Sequence, residues 1–268
     1  MKTSMKSLVV SSFMVASLLV VSSCQKDAMN SENVQYADVL TVSGDGTTSV
    51  IEANLKSALI ETSALTDSEL ASLLKMKDEE KLARDVYSVL SQKWGGQVFA
   101  NISAAENNHL NAIVLLLTNY GATDTSIGQA GIFTDAAVQS LFNDLIAKAS
   151  VSVEEANKTG ALIEEMDIKD LTEALTTITN ENITLVFDSL LKGSRNHLRA
   201  FNMQLTNLGL TYTPVFISQD EYTQIVTSAM EKGKQYRMNG QGKGKGQGNG
   251  QGKGQKGQGN KGNSTCNN

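Results

Sequence analysis

Proline is nearly missing from this chain: among 268 residues there is only Pro214. Aromatic side chains make up 5%. An all-β fold needs turn residues and aromatic or β-branched strands at short intervals, so this composition argues against a sandwich. Glycine numbers 22, but eleven of these fall between Gly240 and Gly262. The rest of the chain is glycine-poor and proline-poor, which suits long helices. It also lacks the glycine-rich strand-to-helix turn of a dinucleotide fold. Cysteine occurs only as Cys24 and Cys266, and histidine only as His109 and His197. A core held by several disulfides is therefore excluded.

The net charge of −5 hides three zones. Residues 1–23 hold two lysines and no acid; residues 24–231 hold 13 basic and 28 acidic side chains; residues 232–268 hold eight basic side chains and no acid. An acidic body does not read DNA or RNA by sequence, because that needs a basic face.

The first zone has the form of a secretory leader. Lys2 and Lys6 precede a short apolar run from Leu8 to Val21, too short to span a bilayer. The run ends in Val21-Ser22-Ser23-Cys24, which resembles the processing box of bacterial lipoproteins. The resemblance implies cleavage before Cys24, acylation of that cysteine, and a cell-envelope location anchored in the membrane. Gln25 after the cysteine favours the outer membrane if the cell has one. Residues 24–51 are polar, with a turn signal at Gly44-Asp45-Gly46, and read as a flexible tether. At the other end, residues 232–268 are Gly/Gln/Lys/Asn-rich and cannot bury enough surface to offset ordering. They read as a disordered basic tail, either an inert soluble arm or one that touches an anionic surface.

Between these ends, residues 52–231 read as one all-α domain. Thr66-Asp67-Ser68-Glu69 has the form of a capping box, followed by an apolar stripe through Leu70, Leu73, Leu82, Val86 and Leu90 and a stop at Gly95-Gly96. A second helix runs from about Val98 to Tyr120. A loop over 122–133 and a shorter helix from Thr134 follow. Ser152 opens a third long helix, and a fourth runs from about Glu181 to Leu208. Short helices over 54–64 and after Ser218 complete a four-helix bundle with additions.

Few side chains here can carry chemistry. Glu106 and His109 stand at i,i+3 spacing and so project from one helix face. Glu80 sits among apolar residues on the first helix. Glu164 and Asp167 share a face of the third, and His197 lies on the inner face of the fourth. Glu165, one residue out of phase, reads as solvated; Arg195 and Arg199 read as surface or ion-pair residues. Buried carboxylates are costly unless they are paired or bind a cation. Acids and imidazoles on four inner faces therefore favour a shared metal centre, and mixed oxygen and nitrogen donors suit iron, manganese or zinc.

Several segments then resemble known proteins. Glu80-Lys81-Leu82-Ala83-Arg84-Asp85-Val86-Tyr87 and Ser103-Ala104-Ala105-Glu106-Asn107-Asn108-His109 resemble the first two helices of rubrerythrin-like proteins. The stretch from Glu79 to Phe201 is more closely similar to the ferritin-like family called domain of unknown function 2202. That similarity rests on Phe99-Ala100-Asn101-Ile102, on Gly160 to Ile168 and on Gly193 to Phe201 as well. It implies a ferritin-like bundle holding two metal ions, iron before manganese or zinc. Glu80, Glu106, His109, Glu164 and His197 would be the ligands. The fourth-helix motif departs from the pattern, because Ser194 stands where a glutamate is expected; Asp167 is the candidate substitute. The absence of Cys-x-x-Cys removes the rubredoxin-like electron-transfer module of rubrerythrins.

The function implied is a lipid-anchored ferritin-like metal-binding protein with a dimetal-carboxylate centre and oxidase or peroxide-handling activity. The competing reading is a metal-free structural bundle at the envelope, its buried polar groups paired with Arg84 or each other, with a cationic adhesive tail. Partners on these readings are the membrane through Cys24, a further copy of the chain, and an anionic surface for the tail.

Overall fold

The computed structural model describes residues 36–43, 47–60, 64–122, 128–233 and 235–237. The leader, Cys24, Gly44-Asp45-Gly46, Cys266 and the tail beyond residue 237 lie outside the described residues. The order of elements is β1 (Tyr36–Asp38), β2 (Leu40–Val42), β3 (Thr48–Val50), α1 (Glu52–Ala58), α2 (Asp67–Trp94), α3 (Gln97–Asn119), α4 (Ala136–Ala149), α5 (Val153–Leu175), α6 (Glu181–Asn207), α7 (Gln219–Thr227) and β4 (Gln235–Arg237). The protein is all-α in class, and four long helices form its core. Among the described residues no helix is long and apolar enough to cross a membrane.

The helix ends follow local chemistry. The Thr66 hydroxyl accepts from Glu69 N–H while the Glu69 carboxylate accepts from Thr66 N–H, a complete capping box at the start of α2. Ser152, Asn180 and Ser218 cap α5, α6 and α7 with their side-chain oxygens. Gly95 ends α2 in the left-handed conformation at φ 68°. The shorter helix after the loop is capped by Asp135, one residue beyond the expected Thr134. The helix expected over 54–64 is shorter and starts earlier, as α1.

Helix directions follow from a few contacts. The two-residue link Gly95-Gly96 folds α3 back along α2, and a short link folds α6 back along α5. The second oxygen of the Glu69 carboxylate accepts from Asn180 N–H at 3.0 Å, so α2 and α6 start at the same end of the bundle. Tyr120, at the end of α3, donates its hydroxyl to Asn180 Oδ1 at this same end. Trp94, at the other end, donates its indole N–H to Ala149 O at the close of α4. Tyr120 and Ala149 therefore lie at opposite ends of the bundle, and α5 runs parallel to α3.

Two parts differ from the sequence reading of 24–51 as tether and 232–268 as tail. Leu40–Val42 and Thr48–Val50 pair as the β2–β3 hairpin, in which Leu40 pairs with Val50, and it packs on α3 and α6. Val39, Leu40 and Thr48 are buried, so apolar burial fixes a segment whose polar average suggested a linker. The three tail residues 235–237 pair with β1 as β4.

Close packing explains one mid-helix glycine. A Cβ placed on Gly160 would lie 2.5 Å from the Phe201 ring. That ring stands against Tyr87 at 5.3 Å and Phe99 at 5.9 Å between centroids, so it has no room to yield. Gly160→Ala is expected to lower unfolding stability by about 1–3 kcal/mol in denaturant titration. A change under about 0.5 kcal/mol would show that the ring moves freely.

Candidate metal centre

Each long helix delivers an acid or an imidazole to one point in the core. Glu80 comes from α2, Glu106 and His109 from one face of α3, Glu164 from α5 and His197 from α6. All five are fully buried. Their donor atoms form two groups, Glu80/Glu106/His109 and Glu106/Glu164/His197, each with its ligand atoms within 4.8 Å of one another. Glu106 is common to both. One of its oxygens lies 2.7 Å from His109 Nδ1 and the other 2.8 Å from His197 Nδ1. Glu80 lies 3.2 Å from His109 Nδ1, and Glu164 3.4 Å from His197 Nδ1. The imidazole rings stack with centroids 5.4 Å apart.

The far nitrogens of both rings meet one hydroxyl. Thr48 Oγ1 lies 2.8 Å from His197 Nε2 and 3.4 Å from His109 Nε2, fully buried on the β2–β3 hairpin. With Nε2–H donating to this oxygen, each Nδ1 is turned toward the carboxylates. That is the orientation a metal-binding imidazole needs, with its outer nitrogen hydrogen-bonded. Gly193 makes room for it: a Cβ there would lie 2.5 Å from His109 Cε1 and 3.1 Å from Thr48 Oγ1. Sequence reasoning missed both residues. The alternating Val39-Leu40-Thr41-Val42 and Thr48-Ser49-Val50 around Gly44-Asp45-Gly46 carried a hairpin signal. A glycine inside a helix, costing about 1 kcal/mol against alanine, also calls for a packing reason.

The neighbouring side chains sort into supports and exceptions. Tyr87 donates its hydroxyl to Glu164 Oε1 at 2.5 Å, so it is both a core residue and a ligand's partner. Ser194 donates its hydroxyl to Leu190 O and turns away from the acids. Asp167 is buried beside the site but belongs to neither ligand group, and its Oδ2 has no hydrogen-bond partner. Glu165 is not solvated: its Oε2 accepts from the backbone N–H groups of Val215 and Phe216 at 2.7 and 2.8 Å, fixing the turn after Pro214. Arg84 binds Asp85 and Asn107 rather than the central acids. Arg199 is buried and bonds Ile225 O, Asn196 and Glu231, while Arg195 pairs with Glu231.

Burial and mutual charge shift these groups strongly. Burial pushes the Glu80 carboxyl up to about 8 and the Glu164 carboxyl up to about 7. Burial disfavours the charged His197 ring, but Glu106 and Glu164 outweigh it and hold its pKa at about 9; Glu80 and Glu106 raise His109 likewise. Glu106 is itself held well below the usual carboxylate range, the two imidazoles outweighing its burial. The folded metal-free chain thus keeps protons that the unfolded chain loses as pH rises past the ordinary carboxyl and imidazole values. Stability from the four raised groups, Glu80, Glu164, His109 and His197, is present at low pH and is lost as pH climbs through their raised pKa values, whereas the lowered Glu106 has the opposite sign and acts only at acid pH. The metal-free protein should melt at a lower temperature at pH 9 than at pH 6.5, bracketing the His197 shift. A higher melting temperature at pH 9 would contradict the assignment.

Donor chemistry fits a metal better than the proton network alone. Glu80 Oε1, both Glu106 oxygens and Glu164 Oε2 are buried without a hydrogen bond of good geometry. Glu80, Glu106 and Glu164 could together supply three negative charges to offset divalent cations. Thr48→Val keeps the shape and removes the acceptor, so metal affinity should fall about 10–100-fold in equilibrium titration. Unchanged affinity would show that the hydroxyl does not orient the rings.

Comparison with known proteins assigns a family. A family model described as an uncharacterized protein domain, DUF2202, matches residues 69–229, which span α2 to α7. The uncharacterized protein MJ0754 of Methanocaldococcus jannaschii is 41% identical over 170 residues, covering 63% of this chain and 92% of that protein. The crystal structure of hypothetical protein MJ0754 is similar at a TM-score of 0.63 and 39% identity, covering 65% of this chain and 99% of that one. The matched residues include the bundle that carries the five buried donors, and the chain belongs to the DUF2202 family.

Proposed function

We propose that this protein is a ferritin-like dimetal-carboxylate protein. The single observation that carries the reading is Glu106, buried between two histidines and shared by two overlapping ligand groups. A carboxylate in that place can bridge two ions. Glu80 and His109 would complete one ion's set, and Glu164 and His197 the other's. Ferritin-like di-iron proteins build their sites from glutamates and Glu-x-x-His pairs on four helices with one long crossover, and α2, α3, α5 and α6 repeat that plan except at Ser194. Iron is favoured because the donor set mixes several carboxylates with two imidazoles.

Bound redox-active ions of this kind would supply oxygen or peroxide chemistry. The chain's own parts have separate tasks in that work. The histidines present Nδ1, and Thr48 holds their outer N–H groups. Tyr87 occupies one Glu164 oxygen and leaves the other for an ion. Phe201 and Phe99 pack behind Tyr87 and hold its ring in place. The sequence features of residues 1–24 add a location: acylated Cys24 would place the bundle at the cell envelope, on the outer membrane where one exists. The basic tail would then meet an anionic surface.

Elemental analysis of the purified full chain tests the metal reading. The expected result is about two ions per chain, as a shared bridging ligand requires. His109→Ala should lose one ion and Glu106→Ala both. A wild-type chain without iron, manganese or zinc after reconstitution would favour the metal-free bundle.

A further inference from the structure

The five donors are fully buried, so an ion needs a route to reach them. Resting on the metal-centre reading above, we propose that Asp167, Glu79 and Asp170 form a carboxylate ladder that conducts divalent cations from the surface into the core. Glu164, Asp167 and Asp170 recur at i,i+3,i+6 and so climb one face of α5 toward its C-terminal end. Exposure rises along them, from 0% at Glu164 to 2% at Asp167 and 17% at the Asp170 side chain. Across the groove, α2 runs the other way and supplies Glu80, then Glu79, then Lys75. Lys75 Nζ closes the outer end, 2.8 Å from Asp170 and 3.3 Å from Glu79. The mouth is a recess of about 250 Å³ lined by Lys75, Asp170 and Glu173 among others. Lys169 also reaches Asp170, at 3.4 Å.

An acidic row by itself would be a solvated surface. Here the middle rung is not: Asp167 is buried, its Oδ2 has no hydrogen-bond partner, and it stands in the repulsive field of Glu79, Glu80, Glu106 and Glu164. Glu79 Oε2 is likewise buried without a partner. The charges that act most strongly on Asp167 are all carboxylates, and it belongs to neither ligand group. A buried acid with an unbonded oxygen, set among other carboxylates and outside the ligand groups, is suited to a passing cation. Lys75 serves as a gate, since a cation arriving at Asp170 and Glu79 must displace its ammonium group.

The test is the rate at which the metal-free full chain takes up Co(II), followed by visible absorption, with final stoichiometry read by elemental analysis. Asp167→Asn and Asp170→Asn should slow uptake roughly tenfold or more, as expected when a charged funnel is neutralised. Both should leave the final stoichiometry at the wild-type value. Lys75→Gln, at an exposed position, should act oppositely and speed uptake. Unchanged rates in all three variants, with normal wild-type binding, would overturn the ladder and leave the metal centre standing. A lowered final stoichiometry in Asp167→Asn would overturn it too, by making that residue a ligand. A wild-type chain that binds no Co(II) would overturn the metal-centre reading itself.

Discussion

A carboxylate held between two imidazoles in a dry core is the constraint on which the rest of this structure depends. Burying Glu106 without compensation would cost several kcal/mol, and breaking such a buried pair by removing one partner costs about 3–5 kcal/mol. Two histidines, two further glutamates and a nearby aspartate surround it, so acids outnumber imidazoles. Protons partly settle the balance in the metal-free chain: burial first, and then the Glu106 charge, push the Glu80 and Glu164 carboxyls up to about 8 and about 7. Divalent cations would settle it more completely, because each replaces protons on several donors at once.

The bundle is shaped to hold that group of side chains in register. Glu69 ties the starts of α2 and α6 together, which fixes the height of Glu80 relative to His197. Gly193 lets the α6 backbone approach the His109 ring, and Gly160 lets α5 receive Phe201. The β2–β3 hairpin then covers the site from outside with Thr48. The hairpin is a small element with a large effect on the rings, since it fixes which nitrogen of each faces the acids.

Much of this was legible in the sequence because it depends on local rules. The capping box at Thr66, the stop at Gly95 and the i,i+3 pairing of Glu106 with His109 need no tertiary information. The central donors could be named because buried acids on helical apolar faces are rare without a reason. What escaped was set by contacts distant in sequence. Glu165 looked solvated from its phase, yet the turn at 215–217 brings it two close backbone donors. Thr48 was hidden in a polar stretch whose few apolar residues suffice to dock a hairpin. Asp167, expected to stand in for the missing fourth-helix glutamate, is buried on the right helix but one turn beyond the ligand groups.

The most direct measurement is anomalous diffraction from crystals of the iron-loaded protein. Two anomalous peaks about 3.5–4 Å apart, flanking the Glu106 carboxylate, are the result this account predicts. Each should lie about 2 Å from a histidine Nδ1. Iron bound only at surface acids, with Glu106 still bonded directly to both imidazoles, would contradict it.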